Sequence, residues 1–426
     1  MQIIRGVFGI LVLIAVGYLL SSTRKKIEWK YVITGLAIQV ILAFLILHVP
    51  FLQVIFEYIS KFFILFLDFT KIGSEFLFNG LMDTKTHGFI FAFQVLPAII
   101  FFSALTSLLF YLGVIQFFVR AMGYLFMKSM ALTGPESLCV AGNIFLGQSE
   151  APLLIKGYLL SMKNSEISLI MISGMATIAG SILAAYVGLL GGDSYTEKLF
   201  FAKHLITASV MAAPGAVVVS KLLLPADNKK STPLPVTREK YGNNILDAIS
   251  NGTIQGVKLV VNVAAILLVF IAFIAMFNYF TGKIGEIGDI NEKISVITNG
   301  KFNKLSLQLV LSYVFIPFIW LIGIAKEDLH LVSMLLGEKL ILTEFIGYIS
   351  LAELKNTGAF YHQKSIIMST YVLCGFANFA SVGIQIGVLG TLIPSKKAFI
   401  SKYGLKALIG GTIASLISAS IIGMLL

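Results

Sequence analysis

A chain of 426 residues that is 57% hydrophobic and 12% charged, with a mean hydropathy of +0.92, lies far from the roughly 25% charge of a soluble domain. It reads as an all-α polytopic membrane protein, and apolar runs of helix-spanning length without period-two alternation exclude a β-barrel. The net charge of +11 sits in short loops between apolar runs, which sets membrane orientation and does not build a nucleic-acid surface.

Residues 1–21 hold Arg5 and then an apolar run, followed by Ser-Ser-Thr-Arg-Lys-Lys in place of a small-residue cleavage site. That predicts a retained first helix. Arg24, Lys25, Lys26 and Lys30 outweigh Arg5, so the N-terminus faces outside and this loop faces the cytoplasm. A second helix covers about 31–48 and ends before Pro50. Residues 51–67 are amphipathic and suit the membrane interface. The stretch 68–88 balances Asp68, Glu75 and Asp83 against Lys71 and Lys85, as an external loop would. A third helix spans about 89–112, and a long helix with only Arg120 and Lys128 charged fills 113–131.

Next comes Gly142-Asn143-Ile144-Phe145-Leu146-Gly147-Gln148-Ser149-Glu150, then Ala151-Pro152, between apolar flanks. Glycine lowers helix propensity and proline removes a backbone donor, so the chain opens here. Opened backbone at membrane depth is tolerated only inside protein or against a water-filled cavity, and a carboxylate there marks a binding site by default. The competing reading is a solvent-exposed loop between two short helices. Helix four, about 165–190, contains Ser173-Gly174-Met175-Ala176-Thr177-Ile178-Ala179-Gly180-Ser181, which is either a second break or a small-residue packing face. Helix five spans about 199–223. The loop 224–242, with Lys229, Lys230, Arg238, Lys240, Pro233 and Pro235, reads as extended and cytoplasmic. An amphipathic segment at 243–256 leads into helix six, about 257–281, and a polar external loop runs to about 303.

The pattern then returns. Residues 305–324 are apolar and broken by Pro317, and Gly337-Glu338-Lys339-Leu340-Ile341-Leu342-Thr343-Glu344-Phe345-Ile346 follows. The next helix, about 365–392, is interrupted by Cys374-Gly375-Phe376-Ala377-Asn378-Phe379-Ala380-Ser381, and a final helix closes each half. Lys396, Lys397 and Lys402 place 394–402 inside and the C-terminus outside. With one hairpin entering from the cytoplasm and the other from outside, every Lys/Arg-rich loop falls inside. Interrupted segments in two inverted halves point to a transporter site near the midplane.

These residues resemble a family. Gly142-Asn143, Gly147-Gln148-Ser149-Glu150-Ala151-Pro152-Leu153, Thr343-Glu344-Phe345 and Leu373-Cys374-Gly375-Phe376-Ala377-Asn378 are similar to motifs of the concentrative nucleoside transporters, over nearly the whole chain. The resemblance implies a bacterial inner-membrane protein, a homotrimer with eight transmembrane helices and two re-entrant hairpins per subunit. It divides the chain into N-terminal and scaffold helices (1–131), a first transport repeat (132–223), a loop with scaffold helix six (224–303) and a second transport repeat (304–426). Carried over, Gln148, Ser149 and Glu150 meet the nucleobase, while Glu344, Asn378 and Ser381 hold the ribose. Ile182 and Phe376 pack on the ligand. The sodium position falls on Asn143, Leu146, Thr177 and Ile178. Two departures bear on base preference and tip geometry: Ser149 stands where the family often has threonine, and Thr343 where it usually has asparagine.

The chemistry of the residues agrees. An amide such as Gln148 donates and accepts toward a base edge, and a carboxylate such as Glu344 accepts from two vicinal hydroxyls. Neither an arginine cluster nor a glycine-rich phosphate cradle accompanies the tips, which argues against nucleotides. Cys139 and Cys374 lie in apolar segments and give no disulfide or metal spacing, and the five histidines are scattered. The expectation is a sodium-coupled nucleoside symporter carrying uridine-like cargo by an elevator movement, with no other cofactor and no enzymatic activity. A proton-coupled symporter using Glu150, or another secondary transporter, is the alternative.

Overall fold

The computed structural model describes residues 2–87, 90–130, 132–225, 242–298, 300 and 302–426, and every regular element among them is helical. Uninterrupted apolar runs propagate as single helices, and runs carrying clustered glycine, proline and polar residues break. The predicted cytoplasmic loop with Lys229, Lys230, Arg238 and Lys240 lies outside the described residues.

Helices Gln2–Leu19 and Trp29–His48 come first. Pro50 then opens a 29-residue helix, Pro50–Phe78, where its missing N–H costs nothing because the first turn has no intrahelical acceptor. The sequence alone ends this helix near 67, whereas the structure carries it to Phe78. Charges there are spaced for a helix face: Lys61 pairs with Glu57 at 2.7 Å and Lys71 with Glu75 at 3.9 Å, both four residues apart. Phe91–Gln94 and Leu96–Tyr111 make the third predicted helix, and Val114–Met130 follows a turn at Gly113.

The amphipathic lead-in at 243–256 and helix six are one element, Ile245–Gly285, of 41 residues. Asn244 caps it by accepting from the Asp247 N–H at 2.9 Å. Its Gly252 and Gly256 let it press on Leu96–Tyr111. A methyl at Gly252 would meet the Ser107 Cβ at 2.6 Å, and one at Gly256 the Ile100 Cα at 2.7 Å. Ser107 and Ser103 then donate across the contact to the Ala248 and Gly252 carbonyls, at 2.7 and 2.9 Å.

Two stretches share a plan. In the first repeat, a hairpin of Gly134–Gly142 and Ala151–Ile155/Lys156–Leu159 precedes a helix split into Asn164–Ala176 and Gly180–Gly191. The 29-residue helix Tyr195–Leu223 closes it. In the second repeat, the hairpin of Leu329–Ile341 and Glu344–Asn356 precedes a helix split into Gln363–Leu373 and Phe379–Leu392. The 29-residue helix Lys397–Leu425 closes that one. Each hairpin is preceded by a shorter helix, Val114–Met130 in one case and Leu307–Leu321 in the other; Pro317, expected from the sequence to break the latter, sits inside one continuous helix.

Seven helices among the described residues are long and apolar enough to cross a membrane. Their burial separates them. The windows of Asn164–Gly191 and Tyr195–Leu223 are 89% buried and that of the last helix 78%, against 6% for Ile245–Gly285 and 11% for Pro50–Met82. The repeats therefore form the packed interior, and the long outer helices turn apolar residues such as Leu268, Phe273 and Phe280 outward, as lipid or another subunit requires. The base of the first hairpin is pinned by a buried pair, Lys221 Nζ to Glu136 Oε1 at 3.3 Å, with Glu136 also closing a capping box on Thr133.

Candidate binding site at the helix breaks

Both interruptions in the apolar helices are real breaks. Asn164–Ala176 ends at Thr177, whose backbone is extended (φ −106°, ψ 166°), so the small-residue cluster opens the helix as well as packing it. The first hairpin's tip is stitched to this break by the Gly180 N–H, which donates to the Phe145 carbonyl at 3.0 Å. Gly174 admits the tip, because a methyl there would meet the Gln148 Cβ at 2.9 Å.

In the second broken helix, Gln363–Leu373 stops before Gly375, which has φ +93°. A Cβ at Gly375 would stand 2.4 Å from the Ala176 carbonyl oxygen and 2.5 Å from that of Met175. The two breaks thus abut, and only glycine permits both the dihedral and the approach. Asn378 restarts the helix as its N-cap, accepting from the Ser381 N–H at 2.7 Å. Thr343 caps the second hairpin's second arm, Glu344–Asn356, and places Glu344 in its first turn, where the helix dipole favours a carboxylate.

These caps converge on one polar chain. Glu344 accepts from the Tyr186 hydroxyl at 3.1 Å and from the Asn378 amide at 2.5 Å. Gln148 donates to the Ser381 hydroxyl at 3.0 Å. Tyr186 lies on Gly180–Gly191, so both hairpins and both broken helices contribute. Gln148, Glu344, Asn378 and Ser381 are all buried, and the Gln148 carbonyl oxygen is buried without a partner. Ser149, Glu150 and Phe376 are half-buried, and Ile182 is buried. Glu150 turns from this chain to a small cavity with Ser103, Thr106, Ser181 and Gln255, between the first tip and the outer helices.

The residues expected to hold a cation gather beside the first break. Asn143 donates to the Ser173 hydroxyl at 2.8 Å, and the Thr177 hydroxyl donates to the Ser173 carbonyl at 2.9 Å. Leu146 and Ile178, both buried, flank the Phe145–Gly180 bond. The Asn143 side-chain carbonyl is fully buried and has no donor. Such an orphan costs about 1–3 kcal/mol unless a ligand meets it. Among the described residues no His/Cys/Asp/Glu cluster suits a metal ion. Neutral oxygens alone suit a singly charged hard cation better than a divalent or transition metal.

Three residues of this region escape the sequence reading. Tyr186 gives no signal in an apolar helix, and Ser173 is one hydroxyl among several. Lys339, an ammonium inside an apolar run, does carry one.

The pattern described as "Na+ dependent nucleoside transporter C-terminus" matches residues 204–423, its N-terminal counterpart matches 8–81, and "Nucleoside recognition" matches 92–193. The chain belongs to the Na+-dependent, concentrative nucleoside transporter family. Among its relatives is an "Uncharacterized transporter" of Haemophilus influenzae, 36% identical over 438 residues, covering 100% of this chain and 98% of that one. Human "Sodium/nucleoside cotransporter 1" is 37% identical over 433 residues, covering 98% of this chain, which spans 63% of the human protein's length. The solved "Structure of CNTnw in an inward-facing substrate-bound state" superposes with a TM-score of 0.89 at 33% identity, covering 100% of this chain and 98% of that chain. Family membership makes this a multi-pass membrane transporter and not an enzyme, with Na+ and nucleosides as the family's ions and cargo.

Proposed function

We propose that this member imports nucleosides such as uridine with sodium across the bacterial inner membrane. The observation that carries the proposal is the polar chain joining Tyr186, Glu344, Asn378, Ser381 and Gln148 across both hairpins and both broken helices. Glu344 has about four lone-pair sites, and two protein donors leave room for two vicinal ribose hydroxyls. Asn378 and Ser381 add to that grip. Gln148, with an unpartnered carbonyl, accepts the base's N–H, with Ser149 and Glu150 beside it and Ile182 and Phe376 against the ligand. A phosphate on the cargo would meet the Glu344 carboxylate, which disfavours nucleotides.

Sodium sits on Asn143, Thr177 and the carbonyls of Leu146 and Ile178, and orders the tip whose Gln148 meets the base. One charge through 100 mV supplies about 2.3 kcal/mol. A tenfold ion gradient adds about 1.4 kcal/mol, enough for accumulation of several hundredfold. The two repeats (132–223 and 304–426) move as the transport domain of an elevator in which both hairpins are re-entrant. The remaining helices form the scaffold of a homotrimer with both termini outside.

The test is labelled-uridine uptake into proteoliposomes with sodium, potassium and choline varied at fixed pH, and pH varied at fixed sodium. Uptake that needs sodium supports the reading, and uptake driven by pH alone transfers the coupling to Glu150. Uridine should compete far better than uracil or free ribose. Equal competition by uracil would remove the ribose roles of Glu344, Asn378 and Ser381.

A further inference from the structure

Lys355 lies in the last turn of Glu344–Asn356, the second arm of the second hairpin, with its side chain only 16% exposed. Its Nζ donates to the Leu190 carbonyl at 2.8 Å and to Glu197 Oε2 at 2.8 Å, and stands 5.0 Å from the centre of the Phe201 ring. Leu190 belongs to the last turn of Gly180–Gly191, where carbonyls lack intrahelical donors and the helix dipole favours a cation. Glu197 lies in the first turn of Tyr195–Leu223, which Ser194 caps. A tight turn brings the two acceptors together: Gly192 has φ +54°, and a methyl at Gly191 would stand 2.7 Å from the Lys198 Cα. One ammonium of the second repeat thus closes a helix end and a helix start of the first.

The helices joined there also carry the cargo site. Glu344, Tyr348, Leu351 and Lys355 share one face of their helix, at spacings of four, three and four. Tyr186 and Leu190 share a face of theirs. The Tyr186 hydroxyl meets Glu344, its ring stacks on Tyr348 at 3.9 Å, and the Leu190 carbonyl meets Lys355. The two helices therefore run side by side and in the same direction, with Lys355 about 16 Å along the axis from Glu344. The Tyr348 hydroxyl donates to the Thr370 carbonyl at 2.9 Å, which holds the stack on its far side. The first hairpin's base differs, because Lys221 and Glu136 join two parts of one repeat, whereas Lys355 ties one repeat to the other. Without Lys355 the paired helices are joined at the Glu344 end only, and a splay of the free ends turns Glu344 away from Tyr186.

We propose that Lys355 is a positioning residue for the cargo: by clamping the far end of Glu344–Asn356 to the first repeat, it holds the Glu344 carboxylate where it receives the ribose hydroxyls. This rests on the ribose reading given above. It goes beyond a surface ion pair, whose loss would change no preference between ligands.

The test compares wild type with Lys355→Met, Lys355→Arg and Glu197→Gln, each as the full chain in detergent at saturating sodium. Labelled uridine is displaced by uridine and by dideoxyuridine, which lacks both vicinal hydroxyls, and melting temperature is followed alongside. Wild type should prefer uridine. Lys355→Met should lose about 2- to 12-fold in uridine affinity, the range of one hydrogen-bonded contact, and hold dideoxyuridine as wild type does, so the preference shrinks by that factor. Lys355→Arg keeps a charged donor and should restore the preference. Glu197→Gln leaves the Leu190 contact and should fall between wild type and Lys355→Met.

A Lys355→Met protein that keeps the wild-type preference, or that weakens for both ligands alike, overturns the proposal. Should that variant not fold, Glu197→Gln decides in its place, and an unchanged preference there overturns the proposal. A wild type without preference for uridine removes the ribose role of Glu344, and the inference with it. A wild type that prefers uridine beside variants that prefer it equally overturns the inference alone.

Discussion

The two repeats are built alike and finished differently. Each has a hairpin, a broken helix and a 29-residue closing helix. The first hairpin's tip spans eight residues, from Asn143 to Glu150, and leaves carbonyl oxygens of Asn143 and Gln148 buried without donors. The second tip is two residues long, Leu342 and Thr343, and the charged groups beside it, Glu344 and Lys339, have protein partners, while the orphaned oxygens of this repeat (Ser333, Glu338 and Gln385) lie inside helices and not at a tip. Glu344 is held by Tyr186 and Asn378, and Lys339 by three oxygens. The first tip thus carries its orphans at the helix breaks, and the second tip carries groups already held by protein. Buried polar groups left unpaired are costly and those in full networks are rigid, so the first tip is the adaptable one and the second the fixed one.

The strongest way to break this pairing is at the joint. Gly375→Ala forces a side chain into left-handed backbone and onto the Ala176 carbonyl. About 1–2 kcal/mol of dihedral strain and about 1–3 kcal/mol of overpacking should lower the melting temperature in detergent by several degrees and abolish uptake. An unshifted melting curve would mean that the breaks do not bear on each other. Glu344→Gln comes next: it removes charge-assisted bonds worth about 1.5–3 kcal/mol, so uridine affinity should fall about 10- to 150-fold in a protein that still folds. Wild-type binding by that variant would make Glu344 structural.

Two smaller changes separate the halves. Thr177→Val deletes a hydroxyl from the first repeat only, and should raise the sodium needed for half-maximal binding about 2- to 12-fold, from about 0.5–1.5 kcal/mol. Full retention of sodium dependence would place the ion elsewhere. Tyr186→Phe touches only the Glu344 side and, with one neutral donor lost, should cost uridine about threefold while leaving the sodium curve unmoved. A shifted sodium curve in Tyr186→Phe would show that the two halves are coupled through this hydroxyl.

The interruptions were legible because glycine, amides and carboxylates stand out within apolar runs, and so Gln148, Glu344, Asn378 and Gly375 could all be singled out from sequence. Helix extents were harder. Asp68, Lys71 and Glu75 look the same in a polar loop and on an exposed helix face, and only the structure extends that helix to Phe78. The polar lead-in to Ile245–Gly285 hides a continuous helix for the same reason. Partnership was illegible throughout. Lys339 meets Val372 and Ser415 across 33 and 76 residues, and Tyr186 meets Glu344 across 158. Separations of that length carry no local pattern.

The 41 residues of Ile245–Gly285 set a mechanical condition on the membrane. At 1.5 Å per residue this rod is about 60 Å long, twice the roughly 30 Å of hydrocarbon. To lie wholly within lipid it would have to lean about 60° from the bilayer normal, well past the 0–40° range of spanning helices. About a third to a half of it must therefore stand in the headgroups or in water, and its first turns, with Asn244, Asp247, Asn251 and Thr253, are composed for that. The protein thus carries a fixed spar rising from the membrane surface, against which the shorter helices beside it can be measured. Cysteines placed at successive positions along it should change from open to shielded toward a water-soluble thiol reagent at the depth where lipid begins.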